Sequence, residues 1–119
     1  MSTQLEMAKV ACKALDEKKG EDIKVIEIAG ISVLADYFII SNGTNQSQVQ
    51  AMIDNVQEKM NQAGHSIKRI EGNRSSSWLL LDYGDIVVHV FNREDRLFYD
   101  LERIWSDGKM ISVEGLLEE

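Results

Sequence analysis

The spacing of apolar residues predicts two helices in the first half of the chain. The first is predicted over 3–18, from apolar residues that recur at helical intervals: Leu5, Ala8, Cys12 and Leu15. Gly20 follows it and is predicted to adopt the left-handed conformation that is common just after the end of a helix. The second begins after Asn45 as N-cap, with Gln48 three residues on, and ends at Gly64. Its apolar stripe consists of Val49, Met52, Ile53, Val56, Met60 and Ala63.

Apolar and β-branched runs predict strands over 22–28, 36–41, 66–70, 78–81 and 86–91. A polar loop, expected to be flexible, occupies 71–77. Only residues 82–85 join the last two strands, which predicts an antiparallel hairpin. Both faces of the final strand carry apolar residues. This pattern is typical of a central strand that is covered on both sides.

The last third of the chain is predicted to form one more helix and a tail. Asn92 can cap the helix, and its inward-facing residues would be Leu97, Leu101, Ile104 and Trp105. Residues 109–119 show no clear period and are expected to dock loosely or fray. The predicted fold class is therefore α/β, a single domain over 1–119 with a mixed β-sheet layered between α-helices.

Composition and charge restrict the possible partners. The net charge of −7 argues against broad attraction to nucleic acid or anionic membranes and favours a basic protein partner. Cys12 is the only cysteine, so no intrachain disulfide or cysteine metal cluster can form. The first residues lack the pattern of a signal peptide, and no apolar run approaches membrane-spanning length. We therefore expect a cytoplasmic protein.

Residues suited to catalysis are scattered along the chain. Residues 41–44 imitate the Gly-Ser turn of nucleotidyltransferases, but no Asp-x-Asp pair follows to hold two metal ions. Asp82 and Asp85 flank the hairpin turn, where turn roles are more common than metal binding. His89 is interpreted as a core imidazole hydrogen-bonded to a neighbour, and Cys12 as a small hydrophobe. The sequence thus predicts no enzyme, no cofactor and no metal; a nucleotide-binding or residual nucleotidyltransferase domain is the alternative.

Residue types common at protein interfaces gather near the hairpin and the last predicted helix. They are Trp78, Arg96, Tyr99, Arg103 and Trp105. The alternative is that Trp78 and Trp105 are core residues and that Arg96 with Asp100, and Arg103 with Asp107, are solvated i,i+4 pairs. Trp105 is assigned to the core, whereas Tyr99 lies off the apolar stripe of its helix and is the better candidate to face a partner.

The chain resembles the ribosomal silencing factor family, also called the Iojap-related family. The matching segments are 22–25, 36–40, 71–72, 78–91 and 96–105, the longest of which begins Trp78-Leu-Leu-Leu-Asp-Tyr-Gly-Asp. The resemblance extends from the first helix to Trp105. It implies a nucleotidyltransferase-like fold without known catalytic activity.

The resemblance also implies a function and a set of contact residues. It implies binding to the large ribosomal subunit through ribosomal protein L fourteen, which obstructs docking of the small subunit and represses translation, notably when nutrients are short. The expected contact residues are Trp78, Leu97, Tyr99 and Asp100, with Arg96, Glu102 and Arg103 as supporting polar candidates. A homodimer off the ribosome, which could mask the same surface, is a further expectation.

Overall fold

Up to Arg93, the described part of the protein consists of helices and strands in the order that the sequence predicts. In this computed structural model, residues 3–28, 35–72, 78–93, 109–111, 113 and 117 are described. The elements are α1 (Thr3–Glu17), β1 (Glu21–Glu27), β2 (Tyr37–Gly43), α2 (Gln46–Gln62), β3 (Arg69–Glu71), β4 (Trp78–Asp82), β5 (Ile86–Asn92) and β6 (Lys109–Ile111). The two helices predicted in the first half of the chain are confirmed, and so are the predicted strands, although the one predicted over 66–70 forms only at Arg69–Glu71. The last predicted helix, beyond Arg93, and most of the polar loop, at 73–77, lie outside the described residues.

The strands form one mixed sheet in the order β3-β4-β5-β2-β1-β6. β2 and β5 run parallel at its centre, and their register pairs Tyr37 with Ile86 and Gly43 with Asn92. The other neighbours are antiparallel, including the predicted hairpin of β4 and β5. Every residue of β5 before Asn92 is buried. This confirms the prediction of a central strand that is covered on both faces.

Two hydrophobic clusters lie on opposite faces of this sheet. The larger one packs α1 and α2 against one face, through strand residues such as Val25, Ile39 and Val88. The smaller one occupies the other face and contains Ile26, Ile28, Ala35, Phe38, Ile40, Val87 and Phe91. Alternate residues of each strand divide between the two clusters, as the pleat of a strand requires. The predicted α/β class with a mixed sheet is thereby confirmed. Neither described helix is long and apolar enough to cross a membrane.

The two helices end in the same hydrogen-bond pattern but use glycine differently. After α1, Lys19 donates to the carbonyl of Asp16 and Gly20 to that of Leu15, as in a Schellman motif. The left-handed residue there is Lys19, with φ of 61°, so the prediction for Gly20 is wrong. Gly20 is needed for space instead: a Cβ would lie 2.9 Å from both Met52 Cε and Ser41 Oγ. Gly64, with φ of 88°, ends α2 as predicted.

Two side chains of α2 join it to α1. Asn45 is the N-cap as predicted, and its Oδ1 accepts from the Gln48 amide at 2.9 Å. The Gln48 side chain does not complete the usual capping box; it accepts from the amide of Thr44 and donates to the carbonyls of Lys18 and Lys19. Asn55 is buried and donates to the carbonyl of Ala14 at 2.8 Å. These bonds fix the carboxyl end of α1 against α2.

Two strands at the sheet edges differ from the sequence interpretation. β3 has only three residues, all exposed, because it lies at one edge and contributes little to the core. At the opposite edge, Lys109–Ile111, assigned to a tail without clear period, forms β6 and pairs antiparallel with β1. Val113 and Leu117 also pack against the helix-side cluster. The beginning of the tail therefore docks through backbone hydrogen bonds.

Substitution at Gly20 tests the assignment of the two residues after α1. Gly20→Ala should lower the free energy of unfolding by about 1–3 kcal/mol, because the added Cβ overlaps Met52 and Ser41. Lys19→Gly is the matched control, and it should not destabilise, because glycine adopts positive φ without steric cost. Urea denaturation of both variants measures the difference. Equal stability of Gly20→Ala and the wild type would contradict the assignment.

Candidate partner-binding surface

Only one residue of the predicted contact set is described. Trp78 begins β4 and is half-buried. Its side chain packs against the smaller hydrophobic cluster, on the sheet face opposite the two helices. The remaining predicted contacts lie outside the described residues: Arg96, Leu97, Tyr99, Asp100, Glu102 and Arg103. Trp78 and its neighbours are therefore the part of the predicted contact surface that the structure shows.

The indole of Trp78 is held by two different interactions with β5. Trp78 pairs with Phe91 in the β4–β5 register, and their rings stack with centroids 5.4 Å apart and planes 23° apart. The indole Nε1 donates a hydrogen bond to Nδ1 of His89 at 3.1 Å. One interaction fixes the plane of the ring and the other fixes its direction. The part of the indole that remains exposed is therefore presented by a rigid strand pair.

His89 is a buried imidazole whose hydrogen bonding fixes its tautomer. It is 3% exposed, and its Nδ1 must be unprotonated to accept from Trp78, so the proton of the neutral ring is on Nε2. Among the described residues Nε2 has no hydrogen-bond partner, and the ring meets Phe38 edge-on at 4.6 Å. Burial lowers the pKa of His89 from 6.5 to about 4. The predicted role, a core imidazole bonded to a neighbour, is confirmed.

The hairpin turn uses Asp82 as a turn residue. Its Oδ1 accepts from the amide of Gly84 at 2.8 Å, and Gly84 has φ of 88°. Its Oδ2 lies 3.4 Å from Nε of Arg69 on the neighbouring β3. Asp85 uses its backbone, whose carbonyl accepts from the amide of Asp36 at 2.8 Å. The described residues contain no group of three or more metal-ligating side chains close enough to hold an ion.

A polar network at the carboxyl ends of β2 and β5 was not anticipated from the sequence. Arg93, immediately after β5, makes an ion pair with Glu21 at the start of β1. Asn42 donates to Glu21 Oε1 at 2.8 Å, and Ser41 donates to the Glu21 carbonyl at 2.8 Å. The hydrogen bond from Arg93 holds the pKa of Glu21 below its usual range. The only sequence signal for this network is opposite charge, which many other pairs share.

Cys12 lies within α1 and is fully buried. Burial raises the pKa of its thiol to about 12, because the thiolate would lose its hydration there. A thiol with so high a pKa is a poor nucleophile. The interpretation of Cys12 as a small hydrophobic residue agrees with this environment.

Comparison with known proteins finds close similarity over the whole chain. The family model described as "Ribosomal silencing factor during starvation" matches residues 1–119. A protein of Halalkalibacterium halodurans named ribosomal silencing factor RsfS is 39% identical over 117 residues, which cover 98% of this chain and 99% of that protein. A mouse protein named mitochondrial assembly of ribosomal large subunit protein 1 is 30% identical over 95 residues, or 77% of this chain and 42% of the mouse protein.

The fold is also similar to a solved structure. A crystal structure of a Chromobacterium violaceum protein superimposes with a TM-score of 0.84 at 38% sequence identity. The match covers 94% of this chain and 92% of the other. The similarity in sequence and the similarity in fold therefore extend over nearly the same residues.

The depressed pKa of His89 predicts a loss of stability in acid. Between pH 6.5 and about 4 the unfolded chain binds a proton at this residue that the folded protein does not bind. The free energy of unfolding should therefore decrease as the pH is lowered from 6.5. By about pH 4, protonation of His89 in the unfolded chain should have reduced it by roughly 3 kcal/mol. Urea denaturation at several pH values measures the loss. His89→Leu is the control for carboxylates that titrate in the same range, and an identical pH dependence in both proteins would contradict the prediction.

Proposed function

Because the chain belongs to the ribosomal silencing factor family, we propose that it binds the large ribosomal subunit through ribosomal protein L fourteen and sterically blocks association with the small subunit. Occupying that face represses translation, notably under nutrient limitation. This mechanism requires affinity and bulk rather than a chemical step. It places the protein in the cytoplasm, where the ribosomal subunits are.

The strongest support for the proposal is the family match over residues 1–119. The name of the mouse relative, which refers to assembly of the large ribosomal subunit, supports the choice of subunit. A nucleotide-processing function has no comparable support: the carboxylate of Asp82 is engaged by the hairpin turn, and the described residues hold no group of three metal-ligating side chains. The described residues are thus better suited to presenting a surface than to binding metal and nucleotide.

The proposed contact surface combines Trp78 with residues of the last predicted helix. Its central members are Trp78, Leu97, Tyr99 and Asp100, supported by Arg96, Glu102 and Arg103. Trp78 suits this role because large aromatic side chains often carry much of the energy of an interface. Its ring is already fixed by Phe91 and His89, so little side-chain freedom is lost when a partner binds.

Charge also favours a ribosomal protein as the partner. The net charge of this chain is −7, and ribosomal proteins are typically basic. Complementary charge accelerates the encounter of two proteins and disfavours acidic partners. Direct attraction to ribosomal RNA is weak for the same reason, since RNA carries negative charge.

Light scattering from separated ribosomal subunits tests the proposed function. Addition of the protein to large subunits should lower the scattering increase that follows addition of small subunits. The protein should co-sediment with large subunits, and small subunits should be excluded from that complex. Normal subunit joining at saturating protein would overturn the proposal. Titration calorimetry with isolated protein L fourteen tests the direct contact, and failure there with retained subunit binding would point to a different ribosomal component.

Truncation of Trp78 tests the contact surface. Trp78→Ala should raise the concentration needed to block subunit joining by roughly 30-fold or more, the effect of losing about 2 kcal/mol at an interface. Asp54→Ala is a matched control, because Asp54 is exposed on α2, on the opposite side of the sheet. Tyr99→Ala extends the test to the last predicted helix. If Trp78→Ala is folded and blocks subunit joining as well as Asp54→Ala does, Trp78 is not a contact.

A further inference from the structure

His89 lowers the stability of the fold at the position that it occupies, compared with an apolar side chain. Its neighbours along β5, Val88 and Val90, are fully buried and apolar, and the ring itself is almost fully enclosed. The Nε2–H has no hydrogen-bond partner among the described residues. A buried donor without a partner destabilises a fold, whereas an apolar side chain of similar size would not. Packing alone therefore does not explain a histidine here.

The other ring nitrogen of His89 makes a hydrogen bond that an apolar side chain could not make. Nδ1 of His89 accepts the indole N–H of Trp78 at 3.1 Å. Trp78 is half-buried, and its indole N–H points at the buried imidazole of His89. The hydrogen bond therefore gives the indole N–H an acceptor and also sets the direction in which the ring points.

Stacking on Phe91 leaves that direction open. The Trp78 and Phe91 planes are 23° apart, and stacking restrains the plane of the indole more than its direction within that plane. The torsion about the ring-attachment bond is broad in aromatic side chains, so it does not set that direction by itself. Only the orientation observed directs Nε1 toward His89. The hydrogen bond therefore favours the observed direction of the indole.

We propose that His89 is a positioning residue of the partner-binding surface, which holds the Trp78 indole in the one orientation that the partner recognises. This inference rests on the proposed function and adds to it a residue that cannot itself touch the partner. It also explains a buried group that costs stability. A fixed indole direction improves binding, because less side-chain freedom is then lost when the partner binds.

Two substitutions of nearly equal shape separate positioning from packing. His89→Asn keeps an acceptor, since Asn Oδ1 can occupy the place of Nδ1, whereas His89→Leu removes both nitrogens at similar volume. The readouts are solvent exchange of the Trp78 indole N–H by NMR, the midpoint of urea denaturation, and co-sedimentation with large subunits. Trp78→Phe assigns the indole signal, because the chain has two tryptophans.

The expected result is a separation of binding from stability. His89→Leu removes one unpartnered N–H but leaves the indole N–H without its acceptor, so its stability should stay close to that of the wild type. Its indole N–H should exchange faster, and its binding should weaken about tenfold. His89→Asn should restore slow exchange and most of the binding. Parallel losses of binding and stability in both variants would mean that His89 only packs, and would overturn the inference.

The remaining outcomes distinguish this inference from the proposed function. If Trp78→Ala weakens binding while a folded His89→Leu binds normally, the positioning role fails and the proposed function stands. If Trp78→Ala also binds normally, both the contact and its positioning fail. If neither His89 variant folds, NMR of the wild-type protein provides the test. A proton on Nδ1 of His89 would overturn the inference, and so would a Trp78 indole N–H that exchanges as fast as a free indole.

Discussion

The burial of β5 on both faces is the constraint on which the rest of the structure depends. β5 lies between β4 and β2, so its backbone groups are used by neighbours on both sides. Its side chains enter a separate hydrophobic cluster on each face, and any polar group placed there must find a partner within the protein. The strand therefore tolerates one polar side chain before Asn92, and only in a specific arrangement. That side chain is His89, and its partner is at the surface.

The turn between β4 and β5 determines which residue becomes that partner. Asp82 and Gly84 close the turn, which aligns Trp78 with Phe91 and places His89 diagonally across from the indole. A slip of one residue would move every β4 side chain to the other face of the sheet. Trp78 would then lie on the helix side, away from both rings. The short polar turn thus controls the orientation of an aromatic residue at the far end of the hairpin.

The sequence predicts those features that depend on local patterns. Apolar residues on both faces of 86–91 identified the doubly covered strand, and Asn45 with Gly64 marked the ends of α2. It could not show that Gly20 is needed for space, because Met52 and Ser41 approach from distant positions. The pairing of Arg93 with Glu21 has no local signal either. For the site, the family motif identified Trp78 and the strand pattern placed His89 in the core, but their hydrogen bond depends on the register of the folded hairpin.

The link between His89 and Trp78 also connects the stability of the core to the behaviour of the surface. A residue that recognises a partner must be partly exposed, and exposed side chains usually retain rotational freedom that is lost on binding. Anchoring the indole to a doubly buried strand removes that freedom during folding. The cost appears in the core as a buried N–H that has no partner among the described residues, rather than at the proposed interface as disorder. A strand that is buried on both sides is a suitable anchor, because it cannot shift without disturbing both hydrophobic clusters.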